Sequence, residues 1–527
     1  AGTGSLIRLI LRRDRWVMGA WVLWLGVLPM VTASAWTELY PTQADIVRAA
    51  LQLGSNPALS AMFGPVFDAS IGGLTAWRLS IYFVIIGVVS LLTVIRHTRV
   101  EEETGRRELI GSTVVGRHAP LTAALLTVMA ADLVVAGIIA TGLIALDLPV
   151  TGSVAFSAAV AGSGIFFAAV GGVAAQLTET AGGARAIALS VLGLSYVLRA
   201  AGDAAGGERA AWPSWLSPIG WLIHLRSFGD ERWWALVLTV VVAAAVTAAA
   251  FAIAARRDVA SGVLPPRLGP AAASPSLAGP IALAWRLHKG ALIGWTVGFA
   301  VLGVIYGSVA EGVGGLLEDS PDLQEIFARL GGTRVIIDAY LAGIVSVLAL
   351  IVAAYGIQAA SRPRSEEDAL RAEPVLATAV PRTAWLASHL IFAFAAPALA
   401  LLTGGLTMGL AYGAVAGDVV GETPRLLGAA LAQLPAVWVL VAIVILLFGL
   451  APRLMAVTWV LYSALVLITF LGPVLQLSHW ILDLSPFTHI PKLPGAELVM
   501  PPLLWLLALV VVLSAAGVGG FRRRDIG

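Results

Sequence analysis

Apolar stretches of about twenty residues recur along the whole chain, and each is as long as a helix must be to cross a bilayer. Only 12% of the residues are charged, against about 25% in a soluble domain. The mean hydropathy of +0.90 agrees. The pattern predicts an all-α polytopic membrane protein with about twelve transmembrane helices. In the first half the expected spans are Trp16–Ala35, Ala76–Ile95, Leu121–Leu146, Ser153–Leu177, Arg185–Leu198 and a sixth that ends at Arg256–Arg257. In the second they are Gly290–Val309, Val335–Ala359, Leu386–Tyr412, Leu426–Phe448, Leu454–Val474 and Pro502–Val518. Between them, Pro265, Pro266, Pro270, Pro275 and Pro280 punctuate a stretch rich in Ala, Ser and Gly. That stretch reads as a linker. The expected organisation is residues 1–258, a first six-helix half, then a cytoplasmic linker over 259–280, then a second six-helix half over 281–527.

The two halves echo each other in order. EEETGRREL at 101–109 returns as EEDALRAEP at 366–374, an offset of 265. Trp212, Leu216, Ser217 and Pro218 return as Trp480, Leu484, Ser485 and Pro486, and Arg256-Arg257-Asp258 returns as Arg523-Arg524-Asp525. Matches in sequence order at nearly constant offset predict two pseudosymmetric halves. With the N-terminus inside, about 23 of the 33 Lys and Arg fall on the cytoplasmic side. Both termini, the linker and the charged loops are then cytoplasmic.

The N-terminal stretch sets Arg8, Arg12, Arg13 and Arg15 against Leu6, Ile7, Leu9 and Ile10. It is expected to lie on the membrane surface. The run that follows is long enough for a first span and does not resemble a cleaved signal. The sequence opens at Ala1, and residues before it are expected. On the outer side, Leu323, Ile326, Phe327 and Leu330 follow a helical stripe, with Ser320 and Pro321 as start signals and Gly331 as a stop.

Several chemistries are excluded. There is no cysteine, hence no disulfide framework or thiolate zinc site. The two lysines, Lys289 and Lys492, follow His288 and Pro491, so there is no P-loop. The seven histidines form no metal or catalytic motif, and no nucleophile elbow occurs. No metal and no cofactor are expected on the chain, and an enzyme reading is poor. The net charge of +2, spread over loops, does not point to nucleic acid.

The repeated acidic loop carries the functional signal. Ordinary cytoplasmic loops favour Arg and Lys, whereas each of these opens with three acids. At helical spacing Glu102 faces Arg106 and Glu103 faces Arg107, which supports a short surface helix. Acids on its wet face suit docking to a basic groove on a partner.

With EEETGRRELIGSTVVGR between the second and third spans, an amphipathic stretch before the first, and a re-entrant outer segment before the sixth, the chain resembles the membrane subunit of ABC-2 type (type V) ABC exporters. Within them it resembles the actinobacterial (mycobacterial) tetronasin-type multidrug exporter permeases, over its whole length. The resemblance implies that each charged loop is a coupling helix on a separate nucleotide-binding subunit. Glu101, Glu102, Glu103, Arg106, Arg107 and Glu108 would form the first, and Glu366, Glu367, Asp368, Arg371 and Glu373 the second. The second departs from the pattern, with Leu370 for Gly105 and Pro374 for Leu109. Two ATPase copies would carry the ATP and Mg. The cargo would be hydrophobic or amphipathic compounds, such as drugs and polyketide or polyether antibiotics. The resemblance also places spans two, five, eight and eleven at the central interface. Their aromatics Tyr82, Phe83, Tyr196, Tyr340, Trp459 and Tyr462 become candidates for a substrate route.

Charged residues within spans are candidates by default. Asp132 lies deep in the third span, while Asp338 and Arg78 lie near outer ends, where snorkelling is the cheaper arrangement. The alternative is a secondary transporter of the major facilitator type. Gly105-Arg106-Arg107 resembles the end of its loop signature, but Thr98 stands for the first glycine and Glu102-Glu103 for the Asp-Arg pair.

Overall fold

The computed structural model describes residues 2–55, 57–204, 211–258, 261–264, 272, 274–277, 279–318, 333–471 and 478–525. The outer stripe Leu323 to Leu330 with Ser320, Pro321 and Gly331, and most of the linker over 259–280, lie outside them. The described chain is helical throughout, without strands. Eleven of its helical stretches, among them runs of consecutive helices over Ile71–Glu103, Ile337–Asp368 and Val419–Leu450, are long and apolar enough to cross a membrane, and a shorter apolar helix, Val457–Leu471, stands where a further span is expected. The chain divides into two compact units, Ala1–Gly269 and Pro270–Gly527.

In the first unit the helices are α1 (Thr3–Leu39), α2 (Gln43–Ser55), α3 (Pro57–Phe63), α4 (Ile71–Arg78), α5 (Tyr82–His97), α6 (Arg99–Glu103) and α7 (Arg106–Gly111). After them come α8 (Ala119–Ala145), α9 (Val150–Leu177), α10 (Ala181–Ala204), α11 (Pro218–Ile223) and α12 (Trp233–Arg256). The second unit contains α13 (Pro280–Glu318), α14 (Thr333–Ala360), α15 (Arg362–Asp368), α16 (Ala372–Leu376), α17 (Arg382–Ala416) and α18 (Val419–Leu431). It ends with α19 (Leu434–Leu450), α20 (Val457–Leu471), α21 (His479–Leu482) and α22 (Met500–Arg523).

The N-terminal amphipathic stretch and the first span form one unbroken helix, α1, not a surface helix followed by a span. No Gly or Pro lies between Leu6 and Met18 to end it. Asp338 does not snorkel alone: Arg425 of α18 forms an ion pair with it and also bonds Glu422 at 2.9 Å. Arg78 is exposed and lies over the Phe63 ring, 4.7 Å from its centroid.

At the middle of the first unit stands α9, against α5, α8 and α12. Its run of Gly, Ala and Ser lets neighbouring backbones come close. At Gly164 a side chain would meet the Asp132 carboxylate of α8 at 2.5 Å. In the second unit, α19 and α22 touch backbone to backbone at Gly449 and Gly517.

Candidate functional site: the clamped acidic loops

The first acidic loop comprises two short helices, α6 and α7. Gly105 separates them with φ +71°, and its N–H donates to Glu102 O at 3.0 Å. This left-handed step adds one residue to the register. Arg106 therefore pairs with Glu101 (3.2 Å) and Arg107 with Glu102, not with Glu102 and Glu103 as uninterrupted helical spacing predicts.

Glu102 is buried rather than wet. Arg257 Nη2 donates to both of its oxygens, at 2.7 and 2.9 Å, and Arg99 Nη1 lies 2.9 Å away. The guanidinium groups divide their other donors between the end of α9 and the carbonyls of Asp258 and Ser261. Arg99 Nε donates to Ala175 O (2.7 Å), and Arg257 Nε to Gln176 Oε1 (2.7 Å). Cations belong there, since a helix C-terminus presents unpaired carbonyls. Opposite in sign, Glu103 Oε2 accepts from Ala181 N at 2.9 Å, where α10 begins. Arg13 of α1 reaches Glu101 at 2.6 Å, and Arg117 Nη2 donates to Arg257 O at 2.7 Å. The loop is thus tied to α1, α9, α10 and the end of α12. Burial, with Arg257, Arg99 and Arg117 nearby, pushes Arg107 down to about 10, which leaves it charged at neutral pH.

The second loop uses the same connections. Glu367 pairs with Arg524, which follows α22 as Arg257 follows α12. Arg382 Nη1 donates to Arg524 O at 3.0 Å, as Arg117 does to Arg257 O. Glu366 takes Arg371 at 2.8 Å and Arg362 at 3.0 Å. Arg524 also lies over the Phe448 and Phe521 rings, 4.9 and 5.5 Å from their centroids. Asp368 pairs with Arg364 (2.8 Å), and Glu108 and Glu373 are exposed.

The step taken by Gly105 is taken here by Leu370, at φ 55°. A non-glycine residue pays about 1–2 kcal/mol for that conformation. Leu370→Gly is expected to raise stability by a few tenths to about 1 kcal/mol, because glycine's extra chain entropy offsets part of the relief. Gly105→Leu should lower it by about 1 kcal/mol, since the space beside Gly105 is open and only backbone strain acts. Denaturation midpoints of the two variants in detergent test both signs.

The route candidates divide between the two units. Tyr82 and Phe83 are buried in the core of the first unit, and half-buried Tyr196 packs against the same core. The Tyr196 hydroxyl donates to Met62 O at 3.2 Å. In the second unit Trp459 meets Tyr462 edge-on at 6.0 Å, and the Tyr462 hydroxyl donates to Leu350 O at 2.9 Å. Tyr340 packs with a separate cluster around Leu341 and Met408. Asp132 is fully buried and accepts from Ser90 Oγ at 2.9 Å.

Arg99, Arg257 and Arg524 are the residues that sequence reasoning missed as site residues. Arg257 and Arg524 stood in the repeat, where they read only as marks of symmetry. Two histidine contacts were also missed. His97 Nε2 lies 2.7 Å from buried Asp14, and His288 lies 3.2 Å from His389.

The family model described as "Multidrug efflux system permease Rv1217c, C-terminal domain" matches residues 277–522. The Mycobacterium tuberculosis protein "Multidrug efflux system permease protein Rv1217c" is 44% identical over 526 residues, covering 100% of this chain and 95% of that protein. These matches do not favour the major facilitator alternative. A full-length relative at this identity, together with the helical membrane architecture, shows that the chain belongs to the multidrug efflux system permease family.

Proposed function

We propose that this permease is the membrane subunit of an ABC-2 type (type V) exporter of the tetronasin kind, driven by two copies of a separate nucleotide-binding ATPase. ATP and Mg act on those partners, and hydrophobic or amphipathic compounds leave the cell through the permease. The observation that carries the reading is the clamp built twice: Glu102 on Arg257, and Glu367 on Arg524. A loop tied to several membrane helices passes a push from outside the bilayer to those helices as a unit. The tetronasin resemblance and the similarity to a multidrug efflux permease support the cargo class.

The clamp takes Glu102 out of the contact with the partner. What each loop offers is its exposed remainder: Glu103, Glu108, Leu109 and Val114 in the first, Asp368, Leu370 and Glu373 in the second. Leu109 and Val114 are 74% and 90% exposed, so they cost little in the isolated permease and are available to fill a partner's pocket. In the double variant Glu108→Lys with Leu109→Ala, ATPase co-purification should fall by more than about tenfold, as loss of an interface anchor does. Efflux should fall with it, while yield and melting temperature stay. The wild-type complex should weigh one permease plus two ATPase copies. Full ATPase binding and efflux in the variant, or two permease chains per complex, would sink this reading.

A further inference from the structure

Leu6, Leu9, Ile10 and Arg13 recur at i, i+3, i+4 and i+7 on α1, and together they wall one side of an open cleft. The opposite wall holds Ala123 of α8 with Glu101 and Arg107 of the first loop. The exposed lining of the cleft is mainly apolar, with Arg13, Glu101, Arg107 and buried His97 and Thr98 as its polar members, a mixture that suits an amphiphile.

Its depth in the membrane follows from the length of α1. A helix of 37 residues is about 55 Å long, against a hydrocarbon core of about 30 Å. The first dozen residues of α1 therefore stand at headgroup level. Trp16, 77% exposed, marks the boundary as interfacial tryptophans do. Here Arg8, Arg12, Arg13 and Arg15 are all exposed. Among the described residues Arg13 pairs with Glu101, whereas Arg8 and Arg12 make no ion pair. Arg12 and Arg13 lie on the flank of the helix that carries Leu9 and the cleft, and Arg8 and Arg15 lie farther round. An apolar slot at headgroup level, flanked by Arg12 and by the Arg13–Glu101 pair, suits an acyl chain with a negative head.

We propose that this cleft binds an anionic phospholipid of the leaflet that the start of α1 faces, with an acyl chain against Leu6, Leu9 and Ile10 and the phosphate at Arg12 and Arg13. Each arginine near the phosphate accounts for about a fivefold preference for the anionic lipid.

The test is native mass spectrometry of the full chain, titrated with phosphatidylglycerol or phosphatidylcholine. The wild type should retain phosphatidylglycerol preferentially. Arg12→Gln, which leaves the Arg13–Glu101 pair intact, should bind it about fivefold more weakly. Arg12→Gln with Arg13→Gln should weaken it further, and Arg8→Gln with Arg15→Gln should change it less than about twofold. Inorganic phosphate and glycerol phosphate should not compete, since neither fills the apolar slot. Equal retention of the two lipids would overturn the proposal. So would equal losses in the two double variants, which would mean diffuse surface attraction, or displacement of the lipid by free phosphate.

Discussion

Glu102→Lys is expected to cost about 3–5 kcal/mol of stability, because it places a fourth cation among Arg99, Arg107 and Arg257. Removing one partner of a buried pair leaves the others charged and unpaired, whereas exposed pairs are worth about 1 kcal/mol or less. The folded yield and the melting temperature in detergent should both drop sharply. Glu102→Gln should fall less, since its amide oxygen still accepts from Arg257. Glu103→Lys, at an exposed position, should lose only the bond to Ala181 N, about 1 kcal/mol. A double-mutant cycle of Glu102→Gln and Arg257→Gln should show a coupling above about 1 kcal/mol. A Glu102→Lys protein that melts with the wild type would mean that the carboxylate holds nothing together. This result also bears on any test of partner docking: charge reversal at Glu102 damages the permease itself, so only the exposed acids report on the partner.

A single methyl group at Gly449 is expected to destabilise the second unit by about 1–3 kcal/mol or more. The added carbon would overlap the Gly517 carbonyl of α22, and backbone cannot swing aside as a side chain can. Neighbouring Gly520 would meet Leu450 at 2.5 Å, so α19 and α22 have no slack along this seam. Within a bilayer such close approach is itself the attraction, since lipid tails compete with any purely apolar contact. Gly428→Ala is the matched control. Nothing lies within 4 Å of where its methyl would sit, and in a helix alanine is better than glycine by about 0.5–1 kcal/mol. The same substitution should therefore move the melting temperature in opposite directions at the two sites. Equal shifts would mean that the seam is not tight.

How much of this could be read in advance depends on which force was at work. The spans were legible because hydropathy over twenty residues is a strong average: α9 matches the stretch expected at Ser153–Leu177 within a few residues. The continuity of α1 was not, since an amphipathic start and an apolar sequel look like two elements when only composition is weighed. The acidic loop was found by its repetition, and its helical character holds. Its side-chain partners were misassigned because one left-handed residue, Gly105, shifts the register from i+4 to i+5. Arg257 was visible as half of a repeated pair with Arg524. Nothing in a sequence says that a residue 155 positions downstream closes on Glu102. His288 and His389 illustrate the same limit: 101 residues separate them, and only the packing of α13 on α17 brings their rings within 3.2 Å.

The long reach of the clamp has a consequence for biosynthesis. At about 5–20 residues per second, the ribosome needs about 10–30 s to travel from Glu102 to Arg257. Throughout that interval Glu102 has only its neighbours Arg99 and Arg107 and lacks the residue that ties it to the end of α12, and the wait recurs between Glu367 and Arg524. Each half of the chain therefore carries its own completion check. Until its last helix has been threaded and its final arginine has arrived, the loop lacks the bond that joins it to the end of its own half.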